Sequence, residues 1–231
     1  ILKKKYNFKT DGDTEVLLYS LIEWGEYALD KIDGMYSFIF HNGDETIISV
    51  DEFNEKPLYY HQNENYMIFS SEIGPLIEYE KEKLELNLSN NTLKEFLYLG
   101  YLTSDKTVYK NIKKVLPNKV YTIKNKKLSS KKKNDKNNNL YNIKIDDIHN
   151  ELINSINSRL VSDQPIGLLL STGIDSMLLL VILIKELKID IKTFSFYESK
   201  DEYNINYLER ISKYLNINSN ITSGETVNYN A

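Results

Sequence analysis

The sequence predicts an α+β unit followed by an α/β unit. A helix and short paired strands occupy the first 80 residues, and a polar low-complexity run interrupts the chain at residues 129–141. Apolar strands that alternate with helices follow this run. Strands joined by tight turns pair antiparallel, whereas strands that alternate with helices form parallel sheets, so the two parts require different sheets.

The first unit opens with a helix over residues 14–25, in which apolar residues recur at helical spacing and Gly25 suits a C-cap. Asn42-Gly43 lies between two apolar runs and predicts a β-hairpin. A second strand pair flanks a polar tip at residues 61–65. We therefore expect a helix followed by an antiparallel meander with strands at 35–40, 46–50, 58–60 and 66–70.

Two weaker strands and a linker complete the first part. A helix is expected over residues 88–97 with Ser89 as its N-cap, followed by edge strands at 108–113 and 119–124. Residues 129–141 contain the run SSKKKNDKNNN, which predicts a linker between a first domain at 1–128 and a second at 142–231. A basic phosphate-binding tail is the alternative, and the lack of interleaved aromatic residues favours the linker.

The second part alternates regularly between helices and strands. Its periodicity predicts helices at 145–160, 177–187 and 207–215, and apolar strands at 166–170 and 191–196. This order indicates a parallel sheet of two strands with helices on both faces.

Composition excludes several classes of function. The net charge of −4 gives no electrostatic case for a nucleic-acid binder. The sequence has no cysteine and three separated histidines, which excludes a disulfide framework and a cysteine nucleophile within it and argues against a histidine-rich metal site. No secretory signal or membrane-length apolar run is visible, so we expect a cytoplasmic protein without a membrane partner. Because it starts at Ile1, we also expect a fragment.

The segment STGIDS at residues 171–176 carries the chemistry. It joins a buried strand to a helix, where free backbone N–H groups and the helix dipole favour an anion. Ser171 and Ser176 can add hydroxyl donors, and Gly173 allows close approach to a phosphate. Asp175 would repel a phosphate unless Mg²⁺ lies between them. The alternative is a helix start that is merely capped by Ser and Asp.

Ser-x-Gly-x-Asp-Ser resembles the pyrophosphate loop of N-type ATP pyrophosphatases, and its surroundings, SRLVSDQPIGLLLSTGIDSMLL, resemble glutamine-hydrolysing asparagine synthetases. Asp163, Pro165, Gly167 and Leu170 fall where that family has them. Earlier in the chain, TDGDTEVLLYSLIEWG, LDKIDGMYSFIF, DEFNEKPLYY and FSSEI resemble, in order, the class II glutamine amidotransferase domain of the family.

The resemblance implies a fold and an activity. It implies a truncated Ntn-hydrolase-type αββα sandwich followed by the start of a doubly wound parallel sheet. The family makes asparagine from aspartate: ATP and Mg²⁺ adenylate the side chain, and glutamine-derived ammonia then displaces AMP. Adenylation is needed because a carboxylate oxygen is a poor leaving group. The substrates implied are glutamine, aspartate and ATP, and a homodimer is left open.

The resemblance also assigns residues. Leu170 matches a position whose backbone lies against the nucleotide. Ser171, Gly173, Asp175 and Ser176 match the pyrophosphate loop, in which Thr172 is also expected to border the ligand, and Asp175 is the implied Mg²⁺ ligand, directly or through water. Phe196 falls where the family has an apolar residue that contacts adenine; the alternative is a core aromatic. Asp13 matches the carboxylate that holds the α-amino group of glutamine; the alternative is a cap for the helix at Thr14.

Several positions depart from the family pattern. No cysteine exists to serve as the glutaminase nucleophile, and the family's Asn-Gly oxyanion segment has no counterpart. Thr172 replaces a loop glycine, which puts the loop geometry in doubt because threonine tolerates positive φ poorly. The family's Arg and Gly of the segment Arg-Asp…Gly-x-Lys-Pro-Leu-Tyr are both lost, and Val50 and Asn54 stand in their places. The later Gly-Asp-Glu-rich segment, which completes the ATP and acceptor site, is also missing.

Alternatives follow from these departures. One is a catalytically inactive pseudoenzyme that binds nucleotide. Another is an amidotransferase of the same family that acts on a different carboxylate acceptor. A tRNA-modifying pyrophosphatase shares the loop, but the first half of the sequence and the lack of basic or cysteine-rich surroundings argue against it.

Overall fold

The computed structural model of the chain describes residues 1–80, 88–133, 143–198 and 201–224. The chain divides into two units, Ile1–Asn137 and Asn138–Ala231. In the first unit the helices are α1 (Leu2–Lys5), α2 (Asp13–Trp24), α3 (Ile73–Glu80) and α4 (Asn90–Leu99), with a 3-10 helix at Gly25–Asp30. Its strands are β1 (Ser37–His41), β2 (Glu45–Val50), β3 (Tyr59–Gln62), β4 (Met67–Ser70), β5 (Ile112–Lys114), β6 (Lys119–Lys124) and β7 (Lys127–Lys132).

Local signals placed the element ends well. Helix α2 ends at Gly25, which has a φ of 55° and donates its N–H to the carbonyl of Leu21, so the C-cap prediction is confirmed. Strands β1 and β2 pair antiparallel across the predicted Asn42-Gly43 turn, where Gly43 has a φ of 101°. Ser89 caps α4 by accepting a hydrogen bond from the N–H of Thr92, as predicted.

The predicted meander is wrong, because the two hairpins belong to two sheets. The first sheet has the order β1-β2-β6-β7, and the second has the order β4-β3-β5. Strand β2 pairs antiparallel with β6 instead of continuing to β3. The intervening segment, residues 51–58, carries the chain from one sheet to the other.

Two further predictions about this unit are corrected. Strands β5 and β6 were both expected at an edge, but β6 lies between β2 and β7, and of the two only β5 is at an edge. The linker was expected from residue 129, but residues 129–132 belong to β7, which pairs with β6 along its whole length. An edge strand with mostly exposed polar side chains shows no apolar alternation, so its sequence does not differ from that of a linker. Lys133 follows β7 and donates its N–H to the carbonyl of Asn118 at 2.9 Å. Residues 134–141 of the predicted linker lie outside the described residues.

The core of the first unit joins its two sheets. Ile48 and Val50 of β2 are fully buried and form one cluster with Leu58, Tyr60 and other residues of the second sheet and its flanks. The opposite face of the first sheet packs Ile47 against the 3-10 helix. A helical layer, a sheet and a second sheet are therefore stacked in this order.

The turn after β2 is organised by a buried carboxylate. Asp51 is 2% exposed and accepts backbone N–H bonds from four residues, at 2.8 to 3.3 Å. Its donors are Tyr36, Phe53, Glu55 and Lys56. Asn54 has a φ of 55°, and asparagine is one of the few non-glycine residues that tolerate this region. The substitution of the family's glycine is thereby explained.

In the second unit, helices alternate with parallel strands along the sequence. Its helices are α5 (Ile145–Ser158), α6 (Ile174–Val181), which continues as a π-helical turn at Ile182–Glu186, and α7 (Glu202–Leu215). Its strands are β8 (Gly167–Leu169), β9 (Lys192–Glu198) and β10 (Ser219–Gly224). All three strands are parallel, in the order β10-β9-β8, so the sheet has one strand more than predicted.

The helices of this unit pack on one face of the sheet. The core contains Leu180 of α6 and Leu208 of α7, both fully buried, together with Leu170. On the opposite face, Leu169 and Phe196 are 82% and 70% exposed. The prediction of helices on both faces therefore fails for the described part of this unit. Each new strand is added at the same edge of the sheet, in the order β8, β9, β10. Because such parallel connections are right-handed, the connecting helices lie on the same face of the sheet.

None of the helices in the described residues is long and apolar enough to cross a membrane.

Asp51 should make the stability of the first unit depend on pH. Burial raises the pKa of Asp51, but the four backbone donors outweigh it and hold the pKa below its usual value. A depressed pKa stabilises the folded state above the unfolded value of about 3.9, and this contribution is lost as the pH falls through the folded pKa. In Asp51→Asn one oxygen becomes an NH2 group that faces N–H donors. We expect this variant to lose about 3 kcal/mol at pH 7.

The measurement is urea unfolding followed by the fluorescence of Trp24, the single tryptophan, which lies in the first unit. The difference in stability between wild type and Asp51→Asn should shrink from pH 7 to pH 3. Glu52→Gln, at the exposed neighbouring position, is the matched control and should change little at either pH. A difference that stays constant with pH would show that the Asp51 charge does not stabilise the turn.

Candidate functional site

The loop at residues 171–176 begins where β8 is anchored to β9. Leu170 is buried, and its N–H donates to the carbonyl of Phe194 at 2.8 Å. Its carbonyl accepts a hydrogen bond of 2.7 Å from the hydroxyl of Ser195. Both backbone groups of Leu170 are thus bonded to the neighbouring strand, and the chain leaves the sheet from a defined position.

Two serine hydroxyls close the loop. The Oγ atoms of Ser171 and Ser176 lie 2.8 Å apart. Ser176 Oγ also accepts the N–H of Ser171 at 3.2 Å, and it donates toward the carbonyls of Ser171 and Gly173 at 2.9 and 3.1 Å. Ser171 Oγ accepts the N–H of Gly173 at 3.2 Å. The first and last residues of the motif are therefore held together.

Helix α6 presents an uncapped N-terminus to this loop. Its N-cap is Gly173, which supplies no side-chain bond, and the first intrahelical bond runs from Met177 N–H to Gly173 at 3.1 Å. The N–H groups of residues 174–176 lie before that bond and therefore have no partner within the helix. The alternative that Ser or Asp merely caps this helix is wrong. Free N–H groups, the helix dipole and two nearby hydroxyls form an arrangement suited to a phosphate.

Thr172 fits the loop without strain. It does not have a positive φ, so the doubt about its β-branched side chain is removed. Its N–H donates to the phenolic oxygen of Tyr197 at 3.0 Å, and its hydroxyl donates to Oδ1 of Asn204 at 3.0 Å. The residue that replaces the family's glycine is therefore bonded to both β9 and α7.

Asp175 and Phe196 are placed where a ligand could reach them. Asp175 is exposed in the first turn of α6. Phe196 lies two residues beyond the Leu169–Phe194 pair, and a Cβ on Gly224 would come within 3.3 Å of its ring. The alternative that Phe196 is a core aromatic is wrong, because its side chain is largely exposed. No cluster of three or more His, Asp or Glu that could hold a metal occurs in the part of the chain that the structure describes.

Asp13 lies in the other unit, at the start of α2. The helix begins at Asp13 itself and its N-cap is Gly12, so the alternative that Asp13 caps the helix is wrong. The carboxylate accepts a bond of 3.3 Å from the hydroxyl of Thr14. Asp13 lines a cavity of about 1040 Å³ that also borders Lys31 and Tyr36. Burial, and then the charge of Asp51, raises the pKa of the Tyr36 phenol, which keeps it neutral at ordinary pH.

Sequence reasoning missed Tyr197 and Asn204. Both meet the loop through Thr172, and the amide nitrogen of Asn204 donates to the two carboxylate oxygens of Asp201 at 3.0 and 2.8 Å. A signal for Tyr197 was present: it lies near the carboxyl end of a strand parallel to β8, where open α/β sheets gather their ligand-binding groups. No local pattern marks Asn204, which is interior to a helix.

Family comparisons match both units. The model described as glutamine amidotransferase domain matches residues 1–134, and the model described as asparagine synthase matches residues 147–229. The chain belongs to the glutamine amidotransferase domain family, and residues 147–229 are similar to the asparagine synthase model.

Individual relatives agree with this family. Asparagine synthetase [glutamine-hydrolyzing] 1 of Bacillus subtilis (strain 168) is 29% identical over 203 residues, which is 83% of this chain and 31% of that protein. Asparagine synthetase [glutamine-hydrolyzing] 3 of the same organism is 27% identical over 210 residues, which is 86% of this chain and 34% of that protein. Putative asparagine synthetase [glutamine-hydrolyzing] 1 of Methanocaldococcus jannaschii is 26% identical and covers 94% and 38%. The chain spans about a third of the length of these relatives.

A solved structure of glutamine phosphoribosylpyrophosphate amidotransferase from B. subtilis, complexed with ADP and GMP, is similar at 14% identity with a TM-score of 0.36. It covers 95% of this chain and 41% of that chain. A likeness this weak carries no argument about the fold.

The hydroxyl pair of the loop should control the exchange of two particular amides. Ser176→Ala removes the acceptor of the Ser171 N–H, and Ser171→Ala removes that of the Gly173 N–H. Each change should speed hydrogen exchange at its own partner amide about five- to tenfold, the equivalent of one hydrogen bond. The measurement is exchange followed by NMR. The amide of Thr193, bonded to Asn218 within the same unit, should not change. Unaltered exchange at Ser171 and Gly173 would contradict the described network.

Proposed function

We propose that the second unit binds the pyrophosphate part of ATP at residues 171–176. The observation that carries this proposal is the loop itself, which brings two serine hydroxyls to an uncapped helix N-terminus after a parallel strand. The asparagine synthase match over residues 147–229 supports it. The reaction proposed for the whole protein is ATP-dependent formation of asparagine from aspartate with glutamine-derived ammonia.

The proposed chemistry has two steps. A side-chain carboxylate oxygen of aspartate attacks the α-phosphorus of ATP and pyrophosphate leaves, which gives a β-aspartyl-AMP. Ammonia then attacks the activated carbon, and AMP leaves with the carboxylate oxygen. The contribution of this chain is to hold the leaving pyrophosphate, through the N–H groups of residues 174–176 and the hydroxyls of Ser171 and Ser176. Leu170 and Phe196 are proposed to border the nucleotide.

Asp175 is the proposed ligand of Mg²⁺, directly or through water. Magnesium is commonly held by one or two carboxylates together with substrate phosphates, and a single exposed carboxylate beside a phosphate loop fits that pattern. The ion would neutralise the charge that develops on the leaving pyrophosphate. Without it, Asp175 would oppose the binding of a polyphosphate.

In the first unit, Asp13 is the proposed partner of the α-amino group of glutamine. Its carboxylate lines a cavity whose volume exceeds that of an amino acid, and opposite charge favours the ammonium group. The 231 residues contain no cysteine, so they do not supply the family's nucleophile. We propose that this unit has the Ntn-hydrolase-type αββα fold, which its two stacked sheets support.

A second candidate is a nucleotide-binding pseudoenzyme, which the absence of cysteine favours. Such a protein would bind Mg-ATP at the same loop without forming an amide. A relative that acts on another carboxylate would use the loop in the same way, so binding of Mg-ATP is the property that all three share.

Asp175→Asn should weaken the binding of ATP only when Mg²⁺ is present. With Mg²⁺, we expect ATP to bind about tenfold more weakly, because the ion loses its protein ligand. Without Mg²⁺, ATP should bind equally well or more tightly, because a charge that repels phosphate is removed. Calorimetric titration of the full chain measures both.

Asp190→Asn makes the same charge change at an exposed position that precedes β9, at the opposite end of the strand from Phe196, and should leave both affinities unchanged. Circular dichroism checks that the fold is intact. The proposed phosphate site is refuted if the wild-type chain binds no ATP at millimolar concentrations with Mg²⁺. Equal Mg-ATP affinity in wild type and Asp175→Asn would remove only the magnesium role of Asp175.

A further inference from the structure

Thr172 is the loop residue with the most distant attachments. Its backbone N–H is bonded to a side chain of β9, 25 residues later, and its hydroxyl is bonded to a side chain of α7, 32 residues later. The bonds made by the two serine hydroxyls are, by contrast, internal to the loop. Thr172 is therefore the point at which the loop is fixed to the rest of its unit.

The orientation of Asn204 is set by its second partner. Asp201 accepts both hydrogen bonds from the Asn204 Nδ2 group, at 3.0 and 2.8 Å. A carboxylate accepts and does not donate, so the amide nitrogen must face Asp201 and the amide oxygen must face Thr172. The hydroxyl of Thr172 thus meets an acceptor that is already aligned, which reduces the entropy lost in forming the bond.

Tyr197 is positioned by the core of the second unit. Its side chain packs against the apolar cluster of the second unit, whereas the preceding residue, Phe196, points to the exposed face. The hydroxyl at the far end of the ring then reaches the N–H of Thr172. Because alternate residues of a strand point to opposite faces, the position after Phe196 is the one that can brace the loop from the core side.

We propose that Thr172, Tyr197 and Asn204 position the pyrophosphate loop. The threonine side chain adds a bond to α7 that the glycine of the family pattern could not form. Glycine at this position would offer no side-chain bond to α7 and would leave the loop with more conformations to lose on binding. The N–H of Thr172 is engaged by Tyr197, so the backbone donors presented to a phosphate are those of residues 174–176. This inference rests on the proposed phosphate site.

The role of the hydroxyl is tested by two substitutions of Thr172. Thr172→Val keeps the β-branched shape but loses the bond to Asn204, whereas Thr172→Ser keeps the hydroxyl. With pyrophosphate and Mg²⁺ as the probe, we expect Val to weaken binding about five- to tenfold and Ser to stay within about twofold of wild type. Calorimetry on the full chain measures the affinities, and recovery by Ser is a result that a general loss of stability would not produce.

The role of Tyr197 is tested by Tyr197→Phe, which keeps the packed ring and removes the acceptor. Hydrogen exchange at the Thr172 amide should become faster about five- to tenfold, and pyrophosphate binding should weaken to a similar extent. Tyr214→Phe is the matched control on α7, because Tyr214 is 83% exposed, and it should change neither.

The outcomes separate this inference from the proposed function. If wild type does not bind Mg-pyrophosphate, the phosphate site and its positioning residues fail together. If wild type binds and both Thr172→Val and Tyr197→Phe bind equally well, the positioning role is overturned and the site stands. Tighter binding by these variants would also overturn it, because the contacts would then hold the loop away from its binding conformation.

Discussion

Strand β8 is three residues long, and its parallel pairing with β9 determines where the loop at residues 171–176 begins. The pairing extends past the strand through Leu170, whose N–H and carbonyl are both bonded to β9. Parallel strands place their carboxyl ends at the same edge, so the loop, Phe196 and Tyr197 come together there. Every contact between the loop and β9 depends on this register, because a shift of one residue would turn each β9 side chain to the opposite face.

In each of the two units, one residue replaces a glycine of the family pattern, and the two replacements are accommodated differently. Asn54 occupies a left-handed conformation, which asparagine tolerates, and the turn around it is held by the buried Asp51. Thr172 has no positive φ, and its side chain gains bonds that glycine could not make. The two replacements are accommodated for separate reasons: asparagine tolerates the left-handed conformation at position 54, and the backbone at position 172 does not have the positive φ that favours glycine.

The chain contains groups suited to binding substrates, but it does not contain the cysteine nucleophile of the family. Its described residues provide donors for a phosphate, an exposed carboxylate beside them and, in the other unit, a carboxylate in a cavity. In the proposed function, these groups bind and orient substrates. The sequence provides no cysteine, so hydrolysis of glutamine by the family's route needs a group that these 231 residues lack. ATP binding is therefore the part of the proposed function that can be tested on this chain alone.

The sequence by itself determined the elements whose signals are local. The Asn42-Gly43 turn, the glycine end of α2, the Ser89 cap and the STGIDS loop each depend on a few neighbouring residues, and the residue types at those positions are enough to predict them. Tertiary structure alone decided that the hairpins split into two sheets, that β6 is an inner strand and that the polar residues 129–132 form β7. It also decided that Tyr197 and Asn204 meet Thr172. These contacts join residues far apart in sequence, and the residues that form them carry no periodicity or composition that differs from that of an ordinary strand, helix or linker.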